Sequence, residues 1–124
     1  MAEHIERHAS SFLFSETQEG DTFRFSCERE GKKIAAASAT LIGDNLYGIG
    51  GVFVDPSRRN EGVGSSLLKQ VNEFLRRKKA RGRLVNTAQG DSARLYESSG
   101  WKRGQHASQG AYGGYEYTFD GTGA

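Results

Sequence analysis

The sequence predicts an α/β fold, a mixed and mostly antiparallel sheet of about seven strands with two main helices. Three observations carry this. Thr22 to Arg29 alternates, with Phe23, Phe25 and Cys27 on one side and Arg24, Ser26 and Glu28 on the other, the pattern of a half-buried strand. Val63, Leu67, Leu68, Val71, Phe74 and Leu75 fall on one face of a helix. The apolar run Val52 to Val54 stops at Pro56, which has no N–H for a ladder, and leads straight into that helix.

In chain order, Ser11 to Thr17 places Phe12 and Phe14 on one side and ends before Glu19-Gly20, a first strand. Thr22 to Arg29 is the second. Glu30-Gly31-Lys32 turns the chain into a third strand, Lys33 to Ile42, and Gly43-Asp44-Asn45 turns it again. Leu46 to Val54 is a fourth, interrupted by Gly48, Gly50 and Gly51, and glycines inside a strand suggest a bulge or a close backbone approach. A long helix runs from about Gly62 to Lys79, with Gly82 expected as its C-cap. Leu84 to Ala88 is a short fifth strand. Asp91 to Ser99 is a second helix, opened by Asp91 and ended by Gly100. Trp101 to Gln105 and Tyr115 to Phe119 close the sheet around a glycine-rich loop.

A chain of 124 residues makes one domain, 1–124, with flexible ends expected at 1–10 and 120–124. A net charge of +2 is too small to argue for nucleic acid. Arg76, Arg77, Lys78, Lys79, Arg81 and Arg83 crowd the end of the long helix, where cations suit the helix dipole; an anionic partner is the other reading. The single cysteine, Cys27, cannot form an internal disulfide. There is no secretory signal and no apolar run of membrane-spanning length, so a cytoplasmic protein is expected. No metal site is predicted.

The stretch from Val52 to Leu68 organises the rest. A loop that enters a helix through Gly62 and Gly64 points free backbone N–H groups at one spot, and the helix dipole adds positive potential there. That is a place for a phosphate or pyrophosphate. No Gly-x-Gly-x-x-Gly fingerprint and no Gly-Lys-Ser/Thr is present. The spelling Arg59-x-x-Gly62-x-Gly64, after Val-x-Pro and before Leu67-Leu68, resembles the acetyl-CoA loop of the GNAT superfamily of N-acetyltransferases. Gln89 to Trp101, containing Leu95-Tyr96-Glu97 and Gly100-Trp101, resembles the family's second signature, with Gln89 where Asn is usual and Ser92 where Ala is usual.

The resemblance implies acetyl-CoA as cosubstrate and sheet strands splayed around it. It implies backbone contacts from Val52, Phe53 and Val54 to the pantetheine arm and acetyl carbonyl, and a pyrophosphate held by Arg59, Asn60, Glu61, Gly62, Val63, Gly64 and Ser65. Gln89 and Ser92 would add contacts to CoA. Tyr96 would be the general acid that protonates the leaving thiolate, since a phenol is protonated at neutral pH. The family's usual pair of helices after the first strand has no room here, because only Thr17 to Asp21 separates the first two strands. An open acceptor side favours a large acceptor such as a protein, or a wall supplied by a second copy in a homodimer; the aromatic tail Tyr112, Tyr115, Tyr117 and Phe119 adds to that case.

The general base is open. Gly48 stands where many family members carry Glu; Tyr47 and Asp44 lie close to it in sequence, Asp44 also suiting its turn, His4, His8 and His106 are side chains of the kind that titrates near neutrality, and a water chain is the other route for the proton. Acetylation of a small amine, and a non-catalytic CoA-binding or interaction module, stay as alternatives.

Overall fold

The computed structural model describes residues 3–7, 12–58, 62–86, 91–106 and 115–123. The strands are β1 (Glu3–Arg7), β2 (Leu13–Glu19), β3 (Thr22–Arg29), β4 (Lys32–Gly43), β5 (Leu46–Val54), β6 (Arg81–Asn86), β7 (Lys102–His106) and β8 (Tyr115–Asp120). The helices are α1 (Val63–Lys78) and α2 (Asp91–Ser98), and Pro56–Arg58 forms one 3-10 turn. One sheet runs in the order β1-β2-β3-β4-β5-β6-β8-β7, antiparallel throughout except for the parallel pair β5–β6.

There is one strand more than expected. Glu3–Arg7, read from sequence as part of a flexible end, pairs with β2 from Glu3 opposite Thr17 to Arg7 opposite Leu13. At the other end Gly121 donates its N–H to Ala80 O at 2.9 Å and is buried. The expected loop at 110–114 lies outside the described residues.

The core sits between one face of the sheet and the two helices. Phe74 of α1 meets Phe23, Phe25 and Tyr47 with ring centroids 4.6, 5.3 and 5.1 Å away. Every apolar position of the predicted stripe is buried. On the same face Tyr117 meets Tyr96 of α2, and Arg76 of α1 lies over Phe119. The opposite face of β2 to β4 mixes hydroxyl side chains with Leu13, Arg24 and Glu28, and the hydroxyls bond one another: Ser15 to Ser26 at 2.7 Å and Thr22 to Thr40 at 3.0 Å. No helix of the described residues lies on that face, and β2 passes to β3 through the turn at Gly20 and Asp21 alone.

Gly82 is not the helix C-cap. Lys79 is, at φ 52° and ψ 49°, with its N–H on Arg76 O and its own carbonyl accepting from Asn45 Nδ2. Gly82 lies in β6, where a Cβ would come within 2.7 Å of Leu75 and 2.8 Å of Trp101. The glycine lets the last turn of α1 and the indole lie flat on the strand. The strand therefore starts at Arg81, three residues before the predicted Leu84.

Most of the basic cluster has partners inside the molecule. Arg77 makes a two-pronged bond to Glu16, Arg83 pairs with Glu116, Arg76 covers Phe119 and Lys78 covers Phe23. No helix of the described residues is long and apolar enough to cross a membrane, which does not bear on β-barrels.

Candidate active site

The site begins where β5 and β6 part. They pair from Leu46 opposite Arg81 to Gly48 opposite Arg83, and no further pair forms between them among the described residues. Meanwhile β5 stays on β4 as far as Val54, and β6 stays on β8 as far as Asn86. The outer half of β5 thus turns its backbone N–H and C=O groups toward a gap in the middle of the sheet. Sequence supplies the reason. Ala36 lies opposite Phe53 and Ser38 opposite Gly50, so β5 carries one extra residue between them. A bulge bends and twists the strand that holds it, and the glycines at 50 and 51 make the bend inexpensive.

Past the gap the chain is pinned before it enters α1. Asp55 donates its N–H to Ile34 O at 2.7 Å. Its carboxylate accepts from the Ser57 N–H at 2.9 Å and the Ser57 hydroxyl at 2.8 Å, with Lys32 3.6 Å away. These bonds from Ser57, and the nearby lysine, hold the Asp55 pKa below the usual carboxylate value.

α1 opens without a side-chain cap. Gly62 at the N-cap has φ 79°, a left-handed conformation that a glycine takes without strain, and the first turn holds no acidic residue. The first helical bond runs from Ser66 N to Gly62 O at 3.0 Å. By helix geometry the N–H groups of Val63, Gly64 and Ser65 then have no acceptor inside the helix, and they carry the positive end of its dipole. Gly64 also eases packing at this strand–helix connection, the plainer of the two readings its sequence context allows. A Cβ there would stand 3.3 Å from Leu95 of α2 and 3.4 Å from Val54 of β5. The end of β5, the start of α1 and the middle of α2 therefore converge on Gly64. Val52, Val54 and Leu95 are half-buried against the core, and Phe53 faces the side away from α1, exposed.

Tyr96 follows Leu95. It is 7% exposed, its ring centroid is 5.4 Å from that of Tyr117, and its carbonyl accepts from Trp101 N at 3.1 Å. Burial, and secondarily Tyr117, push its pKa above the usual phenol value, so the hydroxyl keeps its proton well past neutrality. Tyr47 is buried under Phe23 and Phe74, and burial, with Asp21, raises its pKa as well. That makes Tyr47 a poor base.

Of the remaining predicted residues, Arg59, Asn60, Glu61 and Gln89 lie outside the described residues. For Ser92 the place in α2 is described and the side chain is not. His8 is outside, and His4 and His106 stand in β1 and β7. No group of His, Cys, Asp and Glu among the described residues can hold a metal ion.

Residues 2–101 match the acetyltransferase (GNAT) family. No curated protein matches the chain. Its fold is similar to that of the ribosomal-protein-S18-alanine N-acetyltransferase from Escherichia coli, at TM-score 0.73 and 21% identity over 86% of this chain and 74% of that one. It is similar to the PaiA N-acetyltransferase from Thermoplasma acidophilum in complex with coenzyme A, at 0.66 and 15% over 81% and 61%. It is also similar to a protein assigned as a streptothricin acetyltransferase from Bacillus anthracis in complex with acetyl coenzyme A, at 0.71 and 12% over 87% and 74%.

Proposed function

The chain belongs to the GNAT family of acetyltransferases, and on that premise we propose that it is an acetyl-CoA-dependent N-acetyltransferase whose acceptor is an amine on a protein or another large molecule. One observation carries the reading. The ladder between β5 and β6 ends at Gly48 and Arg83, and the unpaired stretch of β5 runs on to Val54, which lies against the uncapped start of α1 at Gly64. A long, thin cosubstrate with an anionic middle suits that arrangement. Its pantetheine arm would add to the free edge of Val52 to Val54, as an extra strand does. Its pyrophosphate would lie on the N–H groups of Val63, Gly64 and Ser65. Arg59, Asn60, Glu61, Gln89 and Ser92 extend the same cradle by their places in the family's two motifs.

The reaction forms a C–N bond between the amine and the acetyl carbon and breaks the C–S bond of the thioester. Charge that develops on the carbonyl oxygen meets N–H groups already held in place by β5. The thiolate takes a proton from the Tyr96 phenol, which its buried setting keeps protonated. The attacking amine must arrive neutral and passes its own proton to water.

A large acceptor fits the absence of any helix between β2 and β3 among the described residues, which leaves that face of the sheet open. Self-association across the same face belongs to this proposal, and light scattering over a concentration range decides it. Burial of Tyr117 and Phe119 in the chain's own core takes two aromatics away from the case for it.

The deciding experiment incubates the pure protein with acetyl-labelled CoA and a cell lysate. Label in protein supports the reading. Label confined to small amines moves the substrate class. Tight acetyl-CoA binding in calorimetry with no transfer at all turns the protein into a binding module.

A further inference from the structure

The eight residues of α2 are too few to be stable as a helix on their own, so its packing decides where it sits. Among its contacts, two consecutive residues meet the same side chain. The Tyr96 ring lies 5.4 Å from the Tyr117 ring, centroid to centroid. The Tyr117 hydroxyl donates to Glu97 Oε2 at 3.3 Å. Consecutive helical side chains point about 100° apart. One residue that holds both fixes the rotation of α2 about its own axis, which a single contact does not. Tyr117 is well placed for this. It is 1% exposed and stands in β8 directly opposite Leu84 of β6, the strand on the far side of the gap.

We propose that Tyr117, acting through Glu97, is a positioning residue that sets the place of the Tyr96 hydroxyl. This rests on the reading of Tyr96 as the general acid. A proton donor works only within hydrogen-bond reach of its target, and a misplacement of about 1 Å can cost about a hundredfold in rate. The backbone groups of the cradle, Val52 to Val54 in β5 and Val63 to Ser65 in α1, belong to neither α2 nor β8. Loss of their bond should therefore act on turnover and spare cosubstrate binding.

The test measures thiol release from acetyl-CoA with a fixed mixture of peptides bearing free α- and ε-amines as acceptor. Tyr117→Phe removes the hydroxyl and keeps the ring; kcat should fall at least about tenfold while KM for acetyl-CoA stays within about twofold. Glu97→Ala should match it, and Glu97→Gln should restore most of the rate, because an amide oxygen still accepts. In a Tyr96→Phe background Tyr117→Phe should have no further effect, as expected when one residue works only through the other.

If Tyr117→Phe and Glu97→Ala keep full kcat while Tyr96→Phe loses it, the positioning role is wrong and the general acid stands. A loss of the same size in the Tyr96→Phe background means plain structural damage and also overturns the proposal. Full turnover in Tyr96→Phe, or none in the wild type, removes the general-acid reading and this proposal with it. Should Tyr117→Phe fail to fold, the exposed Glu97 decides alone through its Ala and Gln variants.

Discussion

The Trp101 indole donates its Nε1 hydrogen to Asn72 Oδ1 at 2.8 Å inside the core, and Asn72 Nδ2 donates in turn to Ser99 O at 2.8 Å. One amide thus ties the middle of α1 to the turn that follows α2. Asn72 interrupts an otherwise apolar stripe for that purpose, and it is 4% exposed. Asn72→Ala leaves a buried indole N–H and a carbonyl without partners. It should cost about 1–3 kcal/mol, read as a lower urea midpoint with an unchanged slope.

Cosubstrate binding is expected to depend on the two loop glycines for different reasons. Gly62→Glu and Gly64→Glu each bring bulk and negative charge to the start of α1 and should abolish acetyl-CoA binding in calorimetry. The alanine variants separate them. Gly62→Ala is strained at φ 79°, by about 1–2 kcal/mol, with nothing within 4 Å to clash. Gly64→Ala has no such strain but presses on Leu95 and Val54, so it should shift α2 and lower turnover more than affinity. Unchanged affinity in both folded glutamate variants would rule out the site.

Turnover should fall on the alkaline side as Tyr96 loses its proton. A general acid is active below its pKa and inactive above it, and burial has moved this pKa upward. The alkaline limb of kcat should therefore lie above the ordinary phenol value of about 10. In Tyr96→Phe that limb should vanish and kcat should drop by about a hundred- to ten-thousand-fold. An unaltered profile in the variant, with chemistry rate-limiting, would exclude the role.

Gly121→Ala tests whether the end of the chain is part of the fold. A Cβ there would lie 2.5 Å from Ala80 O and 2.7 Å from the Leu75 carbonyl, both backbone. Backbone cannot rotate aside, so a loss of about 1–3 kcal/mol or more is expected. A thermal melt matching the wild type would show that the tail contact does not persist in solution.

Much of this was readable in the residues. Period-two alternation marked β3 from Thr22 to Arg29, and β5 was placed from Leu46 to Val54, because each element carries its own signal. β1 carries none. Glu3–Arg7 has one apolar residue, Ile5, and becomes a strand only because β2 offers an edge to pair with. Gly82 was misread because a glycine after a run of cations suits a helix end as well as a strand under an indole; only the position of Trp101 separates the two. Tyr96 could be picked out by its motif. Tyr117 and Glu97 could not be joined, since 20 residues separate them and the register of β8 brings them together.

The early end of the β5–β6 ladder has a consequence for amide hydrogen exchange. In most sheets the edges exchange first and the middle last, since the middle is paired on both sides. Here the sheet is open at its centre, and the Val52 to Val54 amides directed at the gap should exchange early, while the Phe25 amide, deep in the antiparallel half, should exchange late. An added strand-like ligand would close that seam, so the largest slowing on ligand binding should fall in the middle of the sheet and not at its rim.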